Sequence, residues 1–118
     1  MNEFEHDLQV AICRYLTGRG ICFWAVPNGG KRHMSVAKKL KAEGVKSGVP
    51  DITIIHEGMF YALEVKRPKV GKSPKGVLSA NQKERIQEIR DAGGEVAVVY
   101  SVADVIEALI DWRFCDEQ

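Results

Sequence analysis

The stretch PDITIIHEGMFYALEVK, from Pro50 to Lys66, constrains the fold more than any other part of the chain. Two apolar runs flank His56-Glu57-Gly58, a combination that predicts a β-hairpin closed by a tight turn. The charges, however, fall where a buried strand should be apolar. Asp51 begins the first run, and Glu64 and Lys66 stand near the end of the second. The segment therefore predicts a hairpin with polar groups gathered at one end.

The remaining periodicities place this hairpin in a mixed α/β fold (α+β mixed). Helical spacing runs from Phe4 to Thr17, ICFWAV is typical of a short buried strand, and VAKKLKAE of a short basic helix. A capping box, Ser79 with Gln82, opens the next helix, and EVAVVY and an amphipathic helix follow. The predicted order is α-β-(α)-β-β-α-β-α. Within ICFWAV we expect Trp24 to lie in the core rather than to stack on a base.

This order predicts a four-stranded mixed sheet flanked by helices. The first three strands can meander antiparallel. The third and fourth are joined through a helix, so they should be parallel with a right-handed crossover. Helices should then cover both faces of the sheet.

Length and composition fit one soluble domain. The chain has 118 residues, of which 45% are hydrophobic and 28% charged, and we expect a single domain over residues 1–118. The N-terminus lacks the basic start and apolar stretch of a signal peptide, and no apolar run could span a bilayer. We therefore expect a cytoplasmic protein without membrane contacts. The scattered cysteines and histidines argue against a disulfide framework and against structural zinc.

Positive charge is segregated along the chain, although the net charge is only +1. Basic residues crowd the stretches 31–46 and 65–83, whereas the chain from Asp104 onward is mainly acidic. Such segregation is typical of proteins that bind a polyanion, although a solvated basic face would give the same pattern. The candidate DNA contacts are Asn28, Lys31, Arg32, Lys38, Lys39, Lys46, Arg67, Lys69, Lys72 and Lys75.

Two of the basic segments are predicted loops. PNGGKRH could bring its backbone close to a phosphate, or it could be a plain turn with basic side chains. It lacks the G-K-[ST] of a P-loop, so no nucleotide cofactor is expected. KRPKVGKSPKGVL contains two prolines and two glycines and predicts a mobile basic loop.

The charges at the end of the hairpin are compatible with a metal site. A turn at 56–58 brings Asp51 opposite Glu64 within one register step, and Lys66 shares a strand face with Glu64. Two close carboxylates repel each other, and with a backbone carbonyl they form a ligand set that Mg²⁺ prefers. Lys66 could then orient a water nucleophile or stabilise a phosphoryl transition state. The alternative is a cross-face salt bridge between Glu64 and Lys66, which is the commoner explanation of an isolated E-x-K.

Several short motifs, taken in order, resemble those of one nuclease family. EHDLQVAICRYL, PNGGKR, SGVPD, EVK, LSANQ and a Gly-Gly before a strand resemble the VRR-NUC family of the PD-(D/E)XK nucleases, which is similar to Holliday-junction resolvases. The resemblance covers nearly the whole chain and implies a restriction-endonuclease-like core. It implies that Asp51, Glu64 and the Val65 backbone carbonyl bind the metal, while Lys66 serves the attacking water. The implied cofactor is Mg²⁺, with Mn²⁺ as a substitute.

Two further positions match the family, and each has a structural alternative. Glu5 lies on the helix side that carries Leu8 and Ile12. The resemblance implies an acid that helps to hold the metal or its water, whereas favourable charge at a helix N-terminus would also explain it. Gln82 shares a face with Ile86, and the family has a glutamine here beside the catalytic cluster. Its capping box alone could equally explain it.

The sequence thus predicts a Mg²⁺-dependent DNA endonuclease. No base-reading module is evident, so we expect cutting of branched or four-way-junction DNA ahead of site-specific restriction. Symmetric incision of a junction would need two active sites, which suggests a homodimer. A phage or prophage origin follows by family analogy. The alternatives are an inactive DNA-binding module of the same fold, and a restriction-like or exonucleolytic DNase.

Overall fold

The structure is a computed structural model that describes residues 3–27 and 34–114. In this part of the chain, helices and strands follow one another in the predicted order. The helices are α1 (Glu3–Gly18), α2 (Met34–Ala42), α3 (Ala80–Asp91) and α4 (Val102–Asp111). The strands are β1 (Cys22–Ala25), β2 (Ile52–His56), β3 (Met59–Val65) and β4 (Glu95–Val99). None of the helices within these ranges is long and apolar enough to cross a membrane.

The strands form a sheet in the order β1-β2-β3-β4. β1 with β2 and β2 with β3 pair antiparallel, whereas β3 and β4 pair parallel. The parallel pair follows from the connection through α3, because parallel neighbours need a crossover that returns the chain to its starting end. The predicted mixed four-stranded sheet is confirmed.

A two-residue turn joins β2 to β3. His56 pairs with Met59, which leaves Glu57 and Gly58 between the strands. Their φ angles are 50° and 79°. Two positive φ angles define a type I′ turn, whose twist matches that of the flanking strands. The predicted tight turn is therefore confirmed, with Glu57 in a conformation that glycine would adopt more easily.

This turn sets the register of the hairpin. Ile52 pairs with Leu63. Asp51 stands one position earlier on its side and Glu64 one position later on the other, so the register places the two carboxylates opposite each other. The predicted pairing of Asp51 with the region of Glu64 is confirmed.

Apolar side chains pack helices against both faces of the sheet. Under α1 and α4, the core contains Ile12, Leu16, Ile52, Ile54, Tyr61, Leu63, Val65, Val99, Val105, Leu109 and Phe114. On the other face, Ile86 of α3 packs against Ala62 and Val96. Side chains alternate along a strand, so Glu64 shares the α3 face with Ala62.

Trp24 is not in the core, and the prediction that it would be is wrong. The residue is 50% exposed. The pairs Trp24–Thr53 and Thr53–Ala62 place it on the α3 face. However, α3 packs over β4, the opposite edge strand. A mid-strand position predicts burial only where a helix covers that part of the face.

Internal contacts hold the basic segment between β3 and α3, which was predicted to be mobile. The Arg67 guanidinium donates to the Pro74 carbonyl, with distances of 2.7 and 3.1 Å. The Gly76 N–H donates to the Arg67 carbonyl at 2.8 Å, and Val70 pairs with Ser73 in an antiparallel bridge. The segment therefore closes on itself and returns the chain to the end of β3.

Candidate active site

A cavity of about 630 Å³ opens at the end of the sheet where β3 finishes and β2 begins. It lies between the first turns of α1 and α3. Its walls include all five predicted catalytic residues, Glu5, Asp51, Glu64, Lys66 and Gln82. The fold thus gathers side chains from a helix, a hairpin and a second helix that are far apart in the sequence.

Asp51 is held at the floor of this cavity by the strand opposite. The residue is 8% exposed, and its Oδ2 accepts a hydrogen bond from the Val65 N–H at 2.8 Å. The Asp51 carbonyl accepts from the Val26 N–H, also at 2.8 Å. These bonds join the ends of β1, β2 and β3 and fix the carboxylate before any ligand arrives.

Glu64 is the most deeply buried of the site's charged residues. It is 2% exposed, and its Oε2 accepts from Gln82 Nε2 at 3.2 Å. Its Oε1 is buried without a hydrogen-bond partner. A buried acceptor left unpaired costs about 1–3 kcal/mol, and more when it is charged. This oxygen is therefore open to a proton, a water or a bound species.

The electrostatics of the carboxylate pair also favour a bound proton or cation. Burial, followed by the charge of Asp51, raises the pKa of Glu64 to about 9. A hydrogen bond between the two carboxyl groups adds to the rise, Glu5 adds a smaller effect, and Lys66 opposes it. Two ionised carboxylates cannot bond to each other, because neither has a proton to donate. At neutral pH the pair therefore holds a proton unless a cation takes its place.

The donor set fits a hard divalent cation. Carboxylate and carbonyl oxygens suit Mg²⁺, which typically uses one or two protein carboxylates and keeps several waters. Within residues 3–27 and 34–114, no group of three or more His, Cys, Asp or Glu side chains is arranged to hold a metal. A cation here would rest on Asp51, Glu64, a backbone oxygen such as that of Val65, and water.

Lys66 leaves the sheet beside these carboxylates. Its N–H donates to the Val99 carbonyl at 3.0 Å, which extends the β3–β4 pairing by one residue. Its ammonium is close enough to lower the pKa of Glu64. The ion pairs among the described residues do not include one between Lys66 and Glu64. The cross-face salt bridge that could have explained the E-x-K pattern is therefore not formed.

Gln82 belongs both to a helix cap and to the site. Its Oε1 accepts from the Ser79 N–H at 2.8 Å, while its own N–H donates to Ser79 Oγ at 3.2 Å. This is the predicted capping box. Because the cap occupies Oε1, Nε2 is directed to Glu64. The sequence left open whether Gln82 is a capping residue or lies beside the carboxylates. It does both, because the capping bond directs its amide to Glu64.

Gly48 brings the chain before Asp51 against the start of α3. Its φ is +80°, and a Cβ there would lie 2.4 Å from the Asn81 carbonyl oxygen and 2.8 Å from the Gln82 nitrogen. Only glycine permits this approach. The Asn81 side-chain amide also donates to Ser47 Oγ at 3.0 Å. The glycine of SGVPD thereby sets the distance between Gln82 and residues 47–50, the Asp51 loop.

Glu5 faces inward, as predicted. Its Oε2 accepts from the Arg67 N–H at 3.1 Å, so it holds the chain that leaves β3. Gly76 packs nearby, because a Cβ there would lie 3.6 Å from the same oxygen. The suggestion that Glu5 also helps to bind the metal or its water stays a prediction.

Gln9 was not among the residues predicted from the sequence, yet it also lines the cavity. Its Oε1 is buried without a hydrogen-bond partner. It lies four residues after Glu5, and helix positions with this spacing share a face. That spacing was the signal that could have identified it. The amide oxygen is available to accept a hydrogen bond from a ligand or from water.

The predicted DNA contacts fall into groups. Three lie outside the described residues: Asn28, Lys31 and Arg32. Exposed positions are Lys38 and Lys39 on α2, and Lys69 and Lys72 after β3. The rest have partners within the chain: Lys46 pairs with Glu88 at 3.3 Å, Arg67 bonds to Pro74, and the Lys75 ammonium lies 4.8 Å from the centre of the Tyr100 ring. Lys69 and Lys72 are thus the basic side chains beside β3 best placed to meet a polyanion.

Comparisons with known proteins agree with this fold. A solved structure titled "VRR_NUC domain protein" superposes with a TM-score of 0.62, over 95% of this chain and 89% of that one, at 22% identity. The likeness shows a shared restriction-endonuclease-like fold. Among functionally curated proteins, no sequence matches significantly. The family model of the VRR-NUC domain matches residues 4–103, a range that contains every predicted catalytic residue. The chain therefore belongs to the VRR-NUC family and has a nuclease-type fold.

Proposed function

We propose that this protein is a nuclease that uses a divalent cation to hydrolyse phosphodiester bonds in DNA. The observation that carries the proposal is the Asp51–Glu64 pair. Two buried carboxylates face each other, the pKa of Glu64 is raised to about 9, and Glu64 Oε1 lacks a partner. A cation satisfies all three conditions, and family membership makes phosphodiester hydrolysis the chemistry that fits such a site.

The chain fixes the ligands before a cation binds. The Val65 N–H holds Asp51, and the Gln82 amide, itself fixed by the cap, holds Glu64. Bonds of this kind orient metal ligands and tune their basicity. We expect Mg²⁺ as the natural cofactor and Mn²⁺ as a substitute. When bound, the ion would polarise a phosphoryl oxygen and offset the charge that develops during hydrolysis.

The remaining residues would act on the water and the phosphate. Lys66 orients a water for attack on phosphorus and stabilises negative charge as the bond to the leaving oxygen breaks. That oxygen then takes a proton from solvent, and the attacking water gives up one of its own protons to solvent. Gln9, whose amide oxygen has no partner in the cavity, accepts a hydrogen bond from the same water. Lys66 directly follows β3 and Gln9 lies in α1, so their side chains need to move little before the reaction.

The preferred substrate in this proposal is branched DNA. The exposed lysines would contact phosphates, which position a duplex but carry no sequence information. Structure-specific cutting, including that of four-way junctions, therefore fits better than site-specific cutting. A homodimer would supply two active sites for paired incisions. A cytoplasmic location, in a host cell if the protein is phage-encoded, remains part of the proposal.

A cleavage panel tests the function. Linear duplex, flap and four-way-junction DNAs of matched sequence are incubated with the protein in Mg²⁺, in Ca²⁺ or in excess chelator. We expect cleavage in Mg²⁺, binding with poor cleavage in Ca²⁺ because its looser coordination positions water badly, and no cleavage in chelator. Full activity in chelator would overturn the proposal. DNA binding without cleavage in Mg²⁺ or Mn²⁺ would instead establish the inactive binding module.

A further inference from the structure

Among the Phe, Tyr and Trp side chains of the described strands, Trp24 is the most exposed. Tyr61, Trp112 and Phe114 pack together, with ring centroids 4.8 Å apart for both pairs that involve Tyr61 and 6.0 Å for the third. Trp24 instead leaves half of its surface in solvent, in the middle of a strand. Indole is the largest apolar side chain, so an exposed position gives up a large hydrophobic gain. An exposed aromatic ring of this kind is a surface on which a nucleobase can stack.

The register places Trp24 beside the candidate active site. It pairs with Thr53, which pairs with Ala62, and Glu64 follows two residues along the same face. Standard strand spacings put the Cα atoms of Trp24 and Glu64 about 12 Å apart. Pro27, three residues after Trp24, lines the cavity itself. A phosphate held at the carboxylates would therefore have its neighbouring nucleotides within reach of the indole.

Among the described residues, the two helices that line the cavity, α1 and α3, leave the Trp24 indole half exposed. α1 contacts β1 from the opposite face, and α3 packs over β4 at the other edge of the sheet. Trp24 therefore presents an exposed indole on the Glu64 side of the sheet, next to the cavity. Lys66 supplies positive charge in the cavity beside this exposed indole.

We infer that Trp24 is a stacking platform for an unpaired base of the nucleic acid whose phosphate occupies the cavity. The inference rests on the proposed function, because it takes DNA as the ligand of the site. Every base has a π face, so stacking on tryptophan tolerates any sequence. A base inside a duplex already has both faces stacked and cannot stack on the Trp24 indole. The inference therefore names the substrate class: DNA with a single-stranded arm or an unpaired base at the branch.

Tryptophan fluorescence tests the contact directly. The chain has two tryptophans, Trp24 and Trp112. The variant Trp112→Phe leaves Trp24 as the only emitter, and Trp24→Phe leaves Trp112. Both are titrated in Ca²⁺ with a flap DNA and with a fully paired duplex of the same sequence, while anisotropy of labelled DNA reports binding separately. We expect the flap to quench Trp24 strongly, the duplex to quench it little, and Trp112 to respond to neither.

Affinity gives a second readout. Trp24→Ala should weaken flap binding roughly tenfold, in line with the loss of one stacked base, and leave duplex binding unchanged. Trp24→Phe should recover part of the loss. Because Trp24 is half-exposed, both variants should melt close to wild type. Equal weakening for flap and duplex would overturn the inference. So would a bound flap that leaves Trp24 unquenched, or a Trp24→Ala variant that converts a dimer to a monomer with flap affinity otherwise unchanged.

These outcomes are separate from failure of the proposed function. A flap that quenches Trp24 but is never cut in Mg²⁺ or Mn²⁺ would support the stacking platform and reject the nuclease. A flap that is cut without quenching Trp24 would reject the platform and leave the nuclease in place. A protein that binds neither DNA in Ca²⁺ would reject both.

Discussion

At the scale of single residues, the site is a place where the fold leaves polar groups unsatisfied. Glu64 Oε1 and Gln9 Oε1 are both buried without partners, and both residues line one cavity. Unpaired buried acceptors are rare in folded proteins, and each calls for a physical reason. We propose one reason for both: the missing donors or cations belong to the bound state.

The pH dependence of stability tests the carboxylate pair. Without metal, Glu64 has a pKa of about 9 when folded and an ordinary value near 4.5 when unfolded. The unfolded state therefore loses this proton first, and the stability gained from the protonated pair is lost as pH rises from about 5 to 9. We expect the melting temperature in chelator to fall over that range, and the Glu64→Gln variant to lack this part of the fall. Identical pH profiles for the two proteins would contradict the assignment.

Gln9 offers a second test at this scale, because its roles in stability and in activity should separate. Gln9→Leu removes an unpaired buried acceptor, so the free energy of unfolding should stay level or rise by about 1 kcal/mol. Single-turnover cleavage should nevertheless slow, since the water loses an acceptor. Denaturant titration and rapid-quench kinetics give the two values. A variant that is less stable but cuts at the wild-type rate would show that Gln9 serves only packing.

At the scale of elements, the site consists of strand ends and helix beginnings. Turn chemistry could be predicted from the sequence, and with it the register that sets Asp51 opposite Glu64. The capping box was equally visible, because Ser79 and Gln82 have the required spacing. What could not be predicted depends on how distant elements pack. Trp24 is exposed because α3 lies over the far edge, and Gln9 reaches the site because α1 forms one wall of the cavity.

The contact between the Asp51 loop and α3 gives a prediction with a matched control. Gly48 and Gly44 both have positive φ, but a Cβ meets the α3 backbone at Gly48 and nothing within 4 Å at Gly44. Gly44→Ala should therefore show only backbone strain, of about 1 kcal/mol. Gly48→Ala should also push α3 away, separate Gln82 from Glu64 and cut kcat by at least tenfold. Melting and cleavage assays on both variants decide, and equal effects would show that Gly48 does not position the site.

At the scale of the whole molecule, charge distribution governs the encounter with DNA. The net charge of +1 hides basic stretches at 31–46 and 65–83 and an acidic C-terminal segment. Phosphate contacts release counterions, so affinity should fall steeply with salt. Several of the basic side chains already have partners within the chain. Fewer basic side chains are therefore available to contact phosphates.

The salt dependence should identify that set. Replacing Lys69 and Lys72 together with Ala should reduce the slope of log affinity against log salt by about two units, one for each lost phosphate contact. Lys46→Ala is the control, because Lys46 pairs with Glu88 and should change the slope less. Anisotropy titrations in Ca²⁺ over a range of salt provide the slopes. An unchanged slope in the double variant would exclude this loop from the DNA interface.

The most direct test of the central claim is single-turnover cleavage of a flap or junction DNA in Mg²⁺ by wild type, Glu64→Ala and Lys66→Ala. Melting temperature and DNA binding in Ca²⁺ are measured on the same samples. Glu64→Ala removes a buried acid whose Oε1 lacks a hydrogen-bond partner, so its metal-free stability should stay level or rise. Both variants should bind DNA but cut it more slowly by about 10²–10³-fold. Folded variants that cut at the wild-type rate would contradict the claim that Asp51, Glu64 and Lys66 form the active site of a nuclease.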